Sequence, residues 1–148
     1  SGRTLSFALD ARKKLEEFGI ELEIWSVTSF NELYKDGIEC ERNERYFNSA
    51  SKPHVCSIFA NPIPTLAVSE YQRAYANQIR SWSTSEYITL GTDGFGRSDT
   101  REKLRDFFEI DANHIVINIL KSLNRKTDYQ QFIKENKINF SKEAPWKR

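Results

Sequence analysis

Methionine is absent from all 148 residues, so no retained initiator opens the chain. Ser1-Gly2-Arg3 runs straight into a helical pattern, and the expectation is a piece of a longer polypeptide. Cysteine occurs twice, at Cys40 and Cys56, without metal-ligand spacing. That reads as a pair of reduced thiols in a cytoplasmic protein. No apolar run approaches the ~20 residues of a bilayer span and no signal-peptide pattern is present, so no membrane partner is expected. Charge of one sign is missing as well: 22 basic residues meet 21 acidic ones. Lys13-Lys14, Arg125-Lys126 and Lys147-Arg148 are too short and scattered to form the clustered basic face that nucleic acid requires.

What is present fits one domain with one core. The hydrophobic fraction is 39%, with 10 Phe, 6 Tyr and 3 Trp to fill it. A local device repeats: a short apolar strand ends in Ser or Asp, and Glu or Gln follows three residues later, the capping-box spacing. It follows Ile20–Val27 as Ser29…Glu32, Thr65–Val68 as Ser69…Gln72, and Tyr87–Leu90 as Asp99…Glu102. Thr127…Gln130 is a fourth copy, with no strand before it. Strand–helix alternation of this kind predicts an α/β domain, three-layer α/β/α, around a mostly parallel sheet.

Helical spacing groups Tyr71, Ala74, Tyr75, Ile79 and Trp82, then Leu104, Phe107 and Phe108, then Val116, Ile119, Leu120 and Leu123, then Tyr129, Phe132 and Ile133. A short helix over Phe30, Leu33 and Tyr34 is expected to stop at Gly37. Val55–Phe59 reads as a strand running antiparallel to Thr65–Val68, because five residues cannot hold a crossover helix, and this makes the sheet mixed. A first helix from Thr4 to Phe18 ends at Gly19. In this alternation a strand should precede it, so residues 1–140 are expected to be an N-terminally truncated domain lacking its first strand or strands. Residues 141–148 form a terminal tail, loose or docked.

The richest local constellation is Gly91 to Asp99, between strand and helix. It is no phosphate loop, since Asp99 stands where a dinucleotide fingerprint needs a small residue and is itself the expected N-cap. Phe95 and Arg97 spoil a calcium loop. The reading is a shaped turn at an interface, with Asp93, Arg97, Asp99 and Arg101 as the candidate residues and the arginines able to make bidentate pairs. His54, at a strand entrance, and His114, on the first turn of a helix, have no nucleophile or carboxylate partner identifiable by spacing. Thr92-Asp93-Gly94 is a superficial lookalike of the Gly-Asp-Gly that opens a thiamine diphosphate segment, and Asn118 stands alone on an apolar helix. No catalytic, cofactor-binding or metal-ligating residues are therefore assigned to this chain.

Two stretches carry a family resemblance. Ile24-Trp25-Ser26-Val27-Thr28-Ser29-Phe30-Asn31-Glu32-Leu33, continuing through Asp36-Gly37 to Cys40-Glu41-Arg42, resembles a segment of the homodimeric pyruvate dehydrogenase decarboxylating (acetyl-transferring) family. The run from Leu90-Gly91-Thr92-Asp93-Gly94-Phe95-Gly96-Arg97-Ser98-Asp99 through Thr100-Arg101-Glu102, continuing to Phe108-Glu109, is similar to that family's most distinctive C-terminal stretch. The chain departs from the family at Asn43, where Trp is usual, and at Val68-Ser69-Glu70-Tyr71. The resemblance implies a transketolase-type C-terminal domain that is itself non-catalytic, in a cytoplasmic parent enzyme of glycolytic pyruvate metabolism. Thiamine diphosphate and magnesium would be held by the parent's preceding domains. The implied partners are those domains, the second subunit of a homodimer and the acyltransferase core of the complex. The resemblance also implies that the strand before the first helix lies between Ile20–Val27 and Thr65–Val68, so that these two either leave a gap of roughly 9–10 Å or close together in a non-native pairing. The same domain of another 2-keto-acid dehydrogenase or of a transketolase, and an independent α/β interaction module, are the alternatives.

Overall fold

The structure, a computed structural model, describes residues 3–94, 96, 98–141 and 143–147; of Arg101 and Glu102 it describes the backbone. Helix α1 (Thr4–Glu16) buries Ala11 and Leu15 and is terminated at Gly19, whose φ of +67° is free of steric penalty without a Cβ. Helix α2 (Phe30–Phe47) begins as expected at Ser29, whose Oγ accepts the Glu32 amide at 3.2 Å. Helix α3 (His54–Ile58) follows, then strand β1 (Thr65–Val68), helix α4 (Arg73–Asn77) with a 3-10 turn at Arg80–Trp82, and strand β2 (Tyr87–Leu90). Helices α5 (Arg101–Phe107), α6 (Ala112–Ser122) and α7 (Lys126–Glu135) complete the order, with a last 3-10 turn at Pro145–Lys147.

β1 and β2 pair in parallel, Thr65 opposite Tyr87 and Val68 opposite Leu90. Leu66, Val68 and Leu90 turn toward one apolar cluster built on Leu15, Val116, Leu120 and Phe132, while Ala67 and Tyr87 belong to another with Val55, Phe59 and Ile79. Side-chain alternation along the strands thus sends successive residues into different helical layers. The sheet sits between α1, α6 and α7 on one face and α2, α3 and α4 on the other, an α/β domain in three layers.

Several expectations give way to the structure. Val55–Phe59 is helical rather than a strand: Val55, Ile58 and Phe59 sit at helical spacing, and Asp36 Oδ2 accepts the His54 amide at 2.7 Å. The antiparallel pairing assigned to it therefore does not form. Helix α2 does not stop at Gly37. That glycine is buried in mid-helix because a Cβ there would lie 2.3 Å from the Trp82 ring. Ser69 Oγ accepts the Tyr71 amide at 3.0 Å and shapes a turn, so α4 starts later, at Arg73. Asp99 is not the N-cap of α5; its neighbour Thr100 is. Thr127 lies inside α7, which starts one residue before it.

Ile20–Val27 keeps the alternating burial of a strand, with Leu22 and Ile24 half-buried between exposed Glu21 and Glu23, but joins no ladder among the described residues. Beyond Ile20, its amides up to Val27 meet no backbone partner among the described residues. On β1, Thr65 and Ser69 donate to β2's side at 2.8 and 3.0 Å, so the amides of Leu66 and Val68 point away from it. A cavity of about 330 Å³ lies against both segments, lined by Leu22, Ile24, Leu66 and Val68 together with Val55 and Ile119 from opposite helical layers.

Candidate functional site

The turn after β2 is tied to the end of β1. Thr92 donates its amide to the Tyr71 carbonyl at 3.0 Å and its hydroxyl to the Glu70 carbonyl at 2.8 Å. A Cβ at Gly91 would meet the Tyr71 oxygen at 2.5 Å, which is why glycine stands where the two backbones touch. Asp93 Oδ1 accepts the Arg73 amide at 3.0 Å, and its Oδ2 pairs with the Arg73 Nε. Gly94 follows with φ +100°. Asp99 Oδ1 takes the Thr100 amide at 2.7 Å and stands 3.9 Å from the exposed Lys103 ammonium.

Of the four candidate residues, the structure therefore places Asp93 and Asp99 in separate bonds, the first with distant Arg73 and the second with its own neighbours. Arg97 lies outside the described residues, as does the side chain of Arg101. Sequence reasoning missed Arg73 as the partner of Asp93. Their separation of 20 positions leaves no local signal, and only the parallel pairing of two strand ends brings them together.

His114 has a carboxylate partner that spacing did not suggest. Asp111 is the N-cap of α6, and its Oδ1 accepts both the His114 amide and a hydrogen bond with Nδ1, each at 2.9 Å. Burial by itself pushes the Asp111 pKa up, but hydrogen bonds from the His114 side chain and backbone outweigh it and leave the group below its ordinary value. Burial likewise opposes the imidazolium of His114. The hydrogen bond and charge of Asp111, helped by Glu109 and Asp106, reverse this and raise its pKa. Ligand atoms of Asp106, Asp111 and His114 lie within 4.8 Å of one another, a spacing a cation tolerates. Capping accounts for the Asp111–His114 half of that group. Burial raises the Cys56 thiol, working against a reactive thiolate there.

Neither of the two residues that resemble a thiamine diphosphate–magnesium motif fits that role. Both carboxylate oxygens of Asp93, the acid of the Gly-Asp-Gly lookalike, are engaged by Arg73, and Asn118 donates its amide to the His114 carbonyl at 2.8 Å. Hard cations need several free oxygens converging on one point.

Residues 1–111 match the family model of the transketolase-like C-terminal domain. The chain is 43% identical over 136 residues to a pyruvate dehydrogenase E1 component of Pseudomonas aeruginosa, covering 88% of this chain and 15% of that protein. It is 44% identical over 126 residues to the one from Buchnera aphidicola, covering 84% and 14%. With the Escherichia coli protein of the same name it shares 37% over 130 residues, covering 85% and 14%. The chain thus spans about one seventh of the length of these relatives. An α/β sandwich around parallel β1 and β2, a family model over residues 1–111 and these relatives lead to one assignment: the chain belongs to the transketolase-like C-terminal domain family, among homologues that are pyruvate dehydrogenase E1 components.

Proposed function

We propose that this chain is the non-catalytic C-terminal domain of a cytoplasmic, thiamine-diphosphate-dependent pyruvate dehydrogenase. The whole enzyme would decarboxylate pyruvate and pass the acetyl group to a lipoyl group, with cofactor and magnesium on its other domains. The observation that carries the reading is likeness to E1 components across more than four fifths of the chain, combined with a turn whose Thr92 and Asp93 are spent on backbone shaping. Packing, homodimerisation and assembly with the acyltransferase core are the roles assigned to this domain. Support comes from α2, whose outer surface exposes Ile38, Tyr46 and Phe47. Calorimetric titration of the isolated chain with thiamine diphosphate and magnesium should show no saturable uptake; micromolar binding would overturn the assignment. In a full-length parent, Arg97→Ala should weaken the dimer before it lowers turnover per intact dimer. A large loss of turnover at unchanged dimer mass and melting temperature would assign the turn to the chemistry instead.

The same reading treats the domain as lacking a strand that the rest of a longer chain supplies. The amides of Leu66 and Val68, which point away from β2 and meet no backbone partner among the described residues, and the cavity lying between two apolar layers, suit an insert that is apolar on both faces. Fusing such a segment of about ten residues ahead of Thr4 should raise the melting temperature by many degrees. An unchanged temperature, with Leu66 and Val68 amides still unprotected, would remove the missing strand from the account.

A further inference from the structure

The last described residues are docked. In the 3-10 turn Pro145–Lys147, Pro145 is buried and the Lys147 amide closes on the Ala144 carbonyl at 2.9 Å. Trp146 lies over the Arg73 guanidinium, 4.5 Å from ring centroid to Cζ, while Arg73 also holds the Asp93 carboxylate. Arg73 is thus shared between an anion and an aromatic ring, two partners a planar guanidinium engages together. Backbone contact completes the arrangement. A Cβ at Gly94 would sit 3.0 Å from the Trp146 Cα and 3.2 Å from its Cβ, so the turn and the tail touch where glycine leaves room.

We propose that the C-terminal turn is a strap, with Trp146 as its clasp, that fixes the shape of the turn beginning at Gly91. Closed, it keeps Arg73 against Asp93 and holds Thr92 on the β1 exit. Lifted, it frees one face of the guanidinium and loosens the turn. The functional meaning rests on the reading of this turn as an interface: a partner touching either the tail or the turn would then be felt by the other. Such coupling is reciprocal by thermodynamic necessity.

Site-resolved amide hydrogen exchange on the 148-residue chain tests the strap without reference to dimerisation. Trp146→Ala should speed exchange of the Arg73 and Thr92 amides at least tenfold and leave the Ile115 amide in α6 unchanged. Trp146→Phe should recover most of the protection. In the reverse direction, Gly94→Ala should speed exchange of the Lys147 amide. Unchanged Arg73 and Thr92 protection in Trp146→Ala would overturn the strap, and so would an equal acceleration at Ile115, which would mark a general loss of stability. A dimer unaffected by Arg97→Ala in the full-length parent would remove the interface reading and leave these exchange results standing.

Discussion

The layer of α1, α6 and α7 and the layer of α2, α3 and α4 flank the same two strands, yet they close differently. In the first, Ala11, Leu15, Val116 and Leu120 are wholly buried, and α6 buries five of its residues. In the second, 18-residue α2 buries only Gly37, while Tyr46 and Phe47 stay 66% and 63% exposed near its end. Its inner side is held through Phe30 and Leu33 on the second cluster, Gly37 against Trp82, Asp36 to the His54 amide at 2.7 Å and Glu41 to the Trp82 indole at 3.1 Å, while Tyr46 and Phe47 near its end point outward. The second layer has a buried core of its own in Val55, Phe59, Ile79 and Tyr87, but its longest helix keeps exposed aromatics that the first layer's α6 lacks.

The comparison breaks most readily in urea unfolding. Leu120→Ala should lower stability by about 2–5 kcal/mol, whereas Phe47→Ala should stay within roughly 0.5 kcal/mol in the isolated chain. Equal losses would mean that the two layers are equally self-sufficient. Next in size, Gly37→Ala drives a methyl into the Trp82 ring and should cost about 1–3 kcal/mol, read from the same curves. A neutral result would show that the second layer yields without resistance.

Asp111→Ala removes the N-cap of α6 and should cost about 1 kcal/mol in thermal melts. The smallest effect is a pH dependence. His114 has a raised folded pKa, so its contribution is complete below its ordinary value of 6.5 and fades as pH rises through the folded value. Asp111 has a lowered one, so its contribution is present above 3.8 and fades as pH falls through the folded value. Stability from the pair should therefore peak between those two ordinary values, and His114→Gln should flatten the alkaline limb. A limb that survives the substitution belongs to another group.

Residue pattern made β1, β2, α6 and the Ser29 cap legible, since period-two and period-3.6 burial and a hydroxyl three residues before an amide are local signals. The Val55–Phe59 run was not, because a short apolar stretch suits strand and helix alike; the Asp36 carboxylate, reaching in from α2, settles it. The helix start near Asp99 was readable to within one residue, the ordinary latitude of a cap.

By itself the sequence determined the class of the fold, the place of both paired strands and the family, all carried by local periodicity and by two motif-rich stretches. Tertiary structure decided whether Gly37 ends a helix or seats Trp82, which cation Asp93 binds, and where the tail comes to rest. Those outcomes depend on residues between 20 and about 70 positions apart, and no local propensity reaches across such distances.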